Sequence, residues 1–335
     1  MEDDVILRVK DLKTYFFTDN SVLRAVDGVS YALHKGECMA IIGESGSGKS
    51  VSALSLLRLI SYPPGLIVGG EVLLNGEDLM KYNDEQIQKI RGSRISMIFQ
   101  EPSTSLNPVA TVGAQIVENI VTHTDMSKEE AWKEAVELLT RVGIPSAEKR
   151  AKEYPFQFSG GMQQRAMIAM AMSCKPDILI ADEPTTALDV TVQAQVLEQL
   201  DSLRREYGTA LIIITHNLGV VARYADTVRI MYGGRIAEEG TTEEIFRNPR
   251  HPYTMGLIRA VPRLDLPKSH GLYSIEGEPP DMSRIPPTRC AFANRCRYAT
   301  QRCMTERPDL EAVNDKHSCA CFNQEAAQEE RKTLP

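Results

Sequence analysis

One segment constrains this chain more than any other. Gly43-Glu44-Ser45-Gly46-Ser47-Gly48-Lys49-Ser50 sits between the apolar run CMAII and the helix-like stretch VSALSLLRLI. It fits the pattern G-x-x-x-x-G-K-S/T in a strand–loop–helix setting, the arrangement in which backbone N–H groups curl around phosphates. Gly43, Gly46 and Gly48 supply the tight curl. The start of the following helix, at Lys49, Ser50 and Val51, offers its positive end to the same anion. Lys49 is placed to reach the β- and γ-phosphates of a nucleotide, and the Ser50 hydroxyl to ligate Mg²⁺. Such a loop does not say what the nucleotide is used for.

Strand and helix patterns alternate over the first 240 residues or so, which predicts an α/β sheet with a parallel core. Strands are expected at Val5–Val9, Glu37–Ile42, Gly70–Leu74, Ile95–Phe99, Ile178–Ala181 and Ala210–Thr215. Helices are expected at Lys49–Ile60, Thr191–Tyr207 and Leu218–Tyr224. Between Pro108 and Gly143 the period turns helical, over Val112–His123 and Ser127–Val142, with Ser127 and Glu130 as a capping box. This block reads as a helical insertion. Beyond Gly240 prolines interrupt the pattern, and the last dozen residues are charged and expected to fray.

The strand ILIAD ends in Asp182, followed by Glu183. With the phosphate loop upstream, Asp182 reads as a carboxylate that holds Mg²⁺, and Glu183 as the base that polarises an attacking water. Between the two halves lies Phe158-Ser159-Gly160-Gly161-Met162-Gln163-Gln164-Arg165, ahead of the helical AMIAMAM. Ser-Gly-Gly at a helix start makes a second nest of backbone donors for an anion. Two such loops are redundant for one nucleotide on one chain.

With these residues in hand, the sequence resembles the ABC ATPases, whose signature is usually written LSGGQ. Phe158 and Met162 depart from that pattern, while Ser159, Gly160 and Gly161 keep it. The resemblance implies a core with an antiparallel β subdomain and a helical subdomain. It also implies a head-to-tail dimer in which Ser159, Gly160, Gly161 and Met162 close on the partner's ATP. It makes Gln100 the Q-loop glutamine that senses Mg²⁺ and touches the membrane subunit. Asp189, in Ala187-Leu188-Asp189, becomes the D-loop acid. His216, directly after ALIIIT, becomes the switch histidine at the γ-phosphate. An aromatic near residue 15 is implied to stack on adenine; Phe16 fits the spacing better and Tyr15 stays open.

The tail narrows the resemblance. Asn248 to Pro262 (NPRHPYTMGLIRAVP), FQEPSTSLNPV beside Gln100, and the run Cys290, Cys296, Cys303, Pro308-Asp309-Leu310, His317 and Cys321 look like the ATPases of oligopeptide, dipeptide and nickel importers. The implied division is a nucleotide-binding domain at 1–245, with its helical subdomain near 108–172, and a small irregular Cys-rich extension at 246–335. Two of the seven cysteines, Cys38 and Cys174, stand alone in apolar surroundings, as buried thiols do; the other five crowd into the last 50 residues. The resemblance suggests a 4Fe–4S cluster on Cys290, Cys296, Cys303 and Cys321, with Cys319 the alternative fourth ligand and Zn²⁺ the alternative metal. Gaps of five and six residues suit structural zinc poorly.

Composition sets the remaining limits. Acids outnumber bases by 45 to 38 without a basic block, which argues against a nucleic-acid partner. No apolar run approaches the roughly 20 residues that span a bilayer, and MEDDVILRVK lacks the features of a signal peptide. The expectation is therefore a peripheral subunit at the cytoplasmic face of the membrane. Its implied partners are a second ABC ATPase subunit, as a heterodimer or a homodimer, two permease subunits and an extracytoplasmic substrate-binding protein. Di- and oligopeptides lead as cargo. Nickel or another small solute is the alternative, and a soluble ABC ATPase of DNA repair or translation is the rival of another class.

Overall fold

The computed structural model describes residues 4–185, 189–262 and 273–325. The chain divides into two compact units, each drawn from separate stretches. The first takes Met1–Leu7, Leu33–Cys38 and Leu74–Ile214; the second takes Arg8–Ala32, Met39–Leu73 and Thr215–Pro335.

Most of β1 (Val5–Thr18), β2 (Ser21–His34), β3 (Cys38–Ile42) and β4 (Gly65–Leu74), together with α1 (Lys49–Leu56), lies in the second unit. Only Asp19 and Asn20 join β1 to β2, and so short a connection makes the pair antiparallel. Within this unit the strands run in the order β2-β1-β4. On β1 the Thr14 side chain points at α1, sharing a 2.7 Å hydrogen bond with Ser55. The strand is far longer than the Val5–Val9 expected from sequence. Asp11, with φ 46, and the charged Lys10 and Lys13 break the alternation that would have revealed it.

The first unit continues through β5 (Glu77–Asp78), α2 (Asp84–Ile90), β6 (Ile95–Ile98), α3 (Pro102–Ser105), α4 (Val112–His123), α5 (Lys128–Arg141), α6 (Ala147–Arg150), α7 (Gly160–Met172), β7 (Ile178–Asp182), α8 (Val190–Tyr207) and β8 (Ala210–Ile214). Strands β6, β7 and β8 pair in parallel, with Ile98 opposite Ala181 and Asp182 opposite Ile214. Every residue of these three strands is buried, as the near-continuous apolar runs of a parallel sheet require. Helices α4, α5 and α7 pack together. The capping box at the head of α5 is present: Glu130 N–H donates to the Ser127 hydroxyl and the Glu130 carboxylate accepts from Ser127 N–H. Ala131, Ala135, Leu138 and Leu139 form the buried face of α5 at helical spacing.

The second unit resumes with α9 (Leu218–Tyr224), β9 (Thr227–Tyr232), β10 (Arg235–Thr241), α10 (Thr242–Arg247), α11 (Pro252–Arg259), α12 (Gln301–Thr305), β11 (Glu311–Asn314) and β12 (His317–Cys319). Its strand order is β11-β12-β10-β9-β3, with β3 and β9 parallel and the others antiparallel. The described part of the proline-rich stretch is thus better ordered than its sequence pattern suggests. What orders it is a buried carboxylate, Glu238 of β10, fully enclosed and satisfied by three donors. These are Arg250 N–H at 2.5 Å, His251 N–H at 3.0 Å and His317 Nε2 at 2.7 Å. A carboxylate buried without such partners would cost several kcal/mol.

Cys38 is buried in β3, as expected. Cys174 is not a purely apolar thiol; it is half-buried and accepts from the Asn119 amide at 3.4 Å. Among the described residues no helix is long and apolar enough to cross a membrane.

Candidate functional site

The phosphate-loop residues form one built structure in the second unit. Gly43 and Gly48 are required by close backbone approach. A Cβ on Gly43 would stand 2.3 Å from the Met231 carbonyl oxygen, and one on Gly48 would stand 2.1 Å from the Ala25 carbonyl oxygen. Gly48 also takes φ 100 as the N-cap of α1, a left-handed conformation that glycine adopts without strain. Lys49 is buried and folds back over the loop, donating to the carbonyls of Gly43 and Glu44 at 2.8 Å each. Ser47 is buried and its carbonyl accepts from Gly234 N–H at 3.0 Å, while Ser45 and Gly46 are exposed at the crest. Ser50 and Val51 are half-buried in the first turn of α1. An ammonium and curled backbone around an exposed crest can grip a polyphosphate.

The loop has partners that the motif did not reveal. Arg295, from the C-terminal region, donates to both Glu44 carboxylate oxygens, at 2.6 and 3.1 Å. The Tyr253 hydroxyl of α11 accepts from Glu44 N–H at 2.8 Å. No local pattern could have linked these residues, because their partner lies over 200 positions away.

The first unit carries the acidic half. Asp182 is buried at the end of β7. Glu183 follows at φ 47, a left-handed conformation seldom taken by a residue with a side chain, and its N–H donates to the Ile214 carbonyl at 2.9 Å. Gln100, exposed one residue beyond Phe99 at the end of β6, donates from Nε2 to the Glu183 carboxylate at 3.3 Å. Two of the sequence candidates therefore meet at the carboxyl ends of neighbouring parallel strands, where open α/β sheets place their ligands.

Ser159 caps α7, accepting from Met162 N–H at 3.4 Å, and Gly160 beside it is exposed with open space where a Cβ would stand. Gly161 and Met162 are half-buried. Phe158 is buried, so the departure at this position faces inward and leaves the Ser-Gly-Gly turn on the surface. His216 is exposed directly after Thr215, and the side chain of its neighbour Asn217 caps α9. Asp189 precedes α8 as its N-cap residue and is exposed; Ala187 and Leu188 lie outside the described residues.

The two adenine candidates separate. The Tyr15 hydroxyl donates to Asp27 at 2.7 Å, and burial, then that hydrogen bond, pushes the phenol up to about 12. Arg24 lies over its ring, 5.8 Å from the centroid. Phe16 is on the opposite face of β1, the face from which Thr14 meets α1, and its ring leaves no room for a Cβ on Gly65.

The metal reading of the cysteines is overturned. Among the described residues no group of three or more His, Cys, Asp or Glu side chains could hold a metal ion. Cys290, Cys296, Cys303 and Cys321, with Cys319 as substitute, thus form neither a 4Fe–4S nor a Zn²⁺ site; they are free thiols. Burial pushes the Cys290 thiol up to about 11 and the Cys321 thiol up to about 12, and raises Cys296 and Cys319 as well. Hydrogen bonds join this region instead. The Asn323 amide donates to the Tyr298 carbonyl at 2.8 Å and to the Cys303 sulfur at 3.3 Å, and Cys290 N–H donates to the Cys303 carbonyl at 3.1 Å. Nearness in sequence suggested a ligand set, but said nothing about how each thiol is packed.

Comparison with known proteins fits this geometry. Residues 26–186 match the ABC transporter model, and residues 237–303 match the model of the oligopeptide/dipeptide transporter C-terminal region. The chain is 50% identical over 312 residues to the oligopeptide transport ATP-binding protein OppD of Bacillus subtilis, covering 93% of this chain and 87% of that one. The chain belongs to the ABC transporter ATP-binding family. Within this ABC ATPase family it is also 48% identical over 320 residues to the dipeptide transport ATP-binding protein DppD of Bacillus subtilis, with 96% and 95% of the two chains covered. Its fold matches the dimeric ATP-binding cassette MJ0796, bound to ADP and phosphate after hydrolysis. That match has a TM-score of 0.64 and 27% identity, covering 70% of this chain and 98% of the cassette. ABC ATPases bind ATP with Mg²⁺.

Proposed function

We propose that this ABC ATPase powers import of di- and oligopeptides from the cytoplasmic face of the membrane. Residues 43–51 cradle the triphosphate through their backbone donors, and Lys49 exchanges its bonds to the Gly43 and Glu44 carbonyls for β- and γ-phosphate oxygens. The donors assigned to Mg²⁺ are the Ser50 hydroxyl, the Asp182 carboxylate and the Gln100 amide oxygen. These are hard oxygens suited to that ion, which supplies neutralisation of phosphate charge. Glu183 orients the attacking water and takes its proton, and His216 meets charge at the γ-phosphate. Phe16 stacks on adenine, since it is free of the Asp27 bond that ties up Tyr15.

One observation carries the hydrolytic reading: Glu183 is held in a left-handed conformation with its carboxylate against Gln100, in a chain that also carries an intact phosphate loop. Strained backbone of this kind persists where surrounding bonds fix a working side chain. The exposed turn at Ser159 and Gly160 supports action on a partner's nucleotide in a head-to-tail dimer with a second ABC ATPase, different or identical. Asp189 joins that interface as the D-loop acid. Two permease subunits and an extracytoplasmic binding protein complete the assembly, and residues 1–245 are its motor, with 246–335 as the importer-specific extension. The peptide cargo rests on that extension and on the names of the relatives.

The test is phosphate release by the assembled transporter in liposomes. Stimulation by the peptide-loaded binding protein is expected. Stimulation by nickel alone, or by neither, would remove the peptide assignment.

A further inference from the structure

We infer that Arg295 and Tyr253, both in the C-terminal region, are positioning residues for the phosphate loop, so that this region sets the affinity for Mg·ATP. The inference rests on the proposed role of residues 43–51 in holding the triphosphate.

Glu44 occupies the second position of the loop, and the C-terminal region grips it twice. Its carboxylate receives a two-pronged ion pair from Arg295, whose side chain is only 6% exposed. Arg295 is itself fixed, donating from Nε to the Glu276 carbonyl at 3.0 Å and from its remaining N–H groups to the Ile275 carbonyl at 3.4 Å and the Tyr232 hydroxyl at 3.3 Å. Its guanidinium lies 6.0 and 5.9 Å from the ring centres of Tyr232 and Phe292. A planar fork held on every side fixes the direction of the carboxylate it binds.

The second grip acts on the backbone. Glu44 N–H donates to the Tyr253 hydroxyl, and Tyr253 is fully buried with its ring edge-on to Tyr232, 4.6 Å between centres. The Glu44 amide is thus already engaged, and Lys49 holds the carbonyls of Gly43 and Glu44 at 2.8 Å each. The peptide between Gly43 and Ser45 is therefore fixed before nucleotide arrives, and donors aligned in advance bind without the entropy cost of ordering them.

Charge adds to the geometry. Glu44 is a carboxylate in a loop that must receive a polyanion, and it is 24% exposed. Paired with Arg295 it presents little net charge to the phosphates; unpaired, it repels them.

Titration of the full-length chain with Mg·ATP tests this, with wild type and Lys49→Ala as references. Arg295→Ala is expected to weaken binding about tenfold, with Arg295→Lys recovering only part because an ammonium cannot fork. Removing the carboxylate as well, in Arg295→Ala with Glu44→Ala, is expected to restore much of the loss, which a general loss of stability would not do. Tyr253→Phe keeps the packing and is expected to weaken binding severalfold with no change in the fraction of folded protein. Wild-type affinity in both Arg295→Lys and Tyr253→Phe overturns the inference, as does a loss in Arg295→Ala that Glu44→Ala leaves unrepaired. A wild-type chain that fails to bind Mg·ATP overturns the loop reading itself.

Discussion

The Gln100 side-chain amide donates to the Glu183 carboxylate across 3.3 Å, linking the residues that follow two adjacent parallel strands. The contact fixes a carboxylate whose backbone already stands in a left-handed conformation. Replacing Glu183 by Gln keeps the shape and removes the base. Phosphate release is expected to fall by about 10² to 10⁴ while Mg·ATP affinity stays within a few-fold of wild type. Equal turnover in the variant would place the base elsewhere.

Opposite faces of β1 make Phe16 and Tyr15 separable. Phe16→Ala is expected to raise the KM for ATP, by a loss of about 1–3 kcal/mol of base stacking. Tyr15→Phe is expected to leave that KM unchanged. It should lower stability by about 1 kcal/mol through loss of the Asp27 hydrogen bond. The reverse pattern in steady-state kinetics would exchange their roles.

His251 gives the C-terminal region a defined acid sensitivity. Its Nδ1 accepts from Tyr253 N–H at 3.1 Å, and complete burial lowers its pKa to about 4, with the Glu238 charge opposing the shift. A histidine whose folded pKa lies below the unfolded value of 6.5 contributes fully above 6.5, where neither state binds the proton. The contribution is lost as pH falls toward 4, because only the unfolded chain takes up the proton in that window. The loss amounts to roughly 3 kcal/mol. Thermal melts of wild type and His251→Asn, which keeps a capping side chain, should converge as pH drops through this window. Parallel curves would assign the acid sensitivity to other groups.

The carboxylate of Glu238 organises three backbone segments at once. Glu238→Ala leaves the Arg250 and His251 amides and His317 without their acceptor, and is expected to cost about 3–5 kcal/mol. Urea unfolding checks the figure. A change below 1 kcal/mol would show that water replaces the carboxylate readily.

Features whose chemistry is local were legible in the sequence. Gly43 to Ser50 announces itself because one phosphate needs contiguous donors, and Val112–His123 and Leu218–Tyr224 were readable from their apolar period alone. Most of β1 was not, because Lys10, Asp11 and Lys13 interrupt its period-two pattern. The grip of Arg295 on Glu44 spans 251 residues and leaves no trace in either segment. The cysteines show the opposite failure. Their clustering along the chain was visible, but whether side chains converge as a ligand set depends on tertiary packing, and among the described residues none of three or more does.

Whether ATP hydrolysis by this chain drives peptide import is read out by uptake of labelled di- and oligopeptides. The cells would lack the gene and carry either wild type or Glu183→Gln. Uptake is expected to be lost without the gene, restored by wild type and not restored by Glu183→Gln. Undiminished peptide uptake in the deletion, or full rescue by Glu183→Gln, would contradict it.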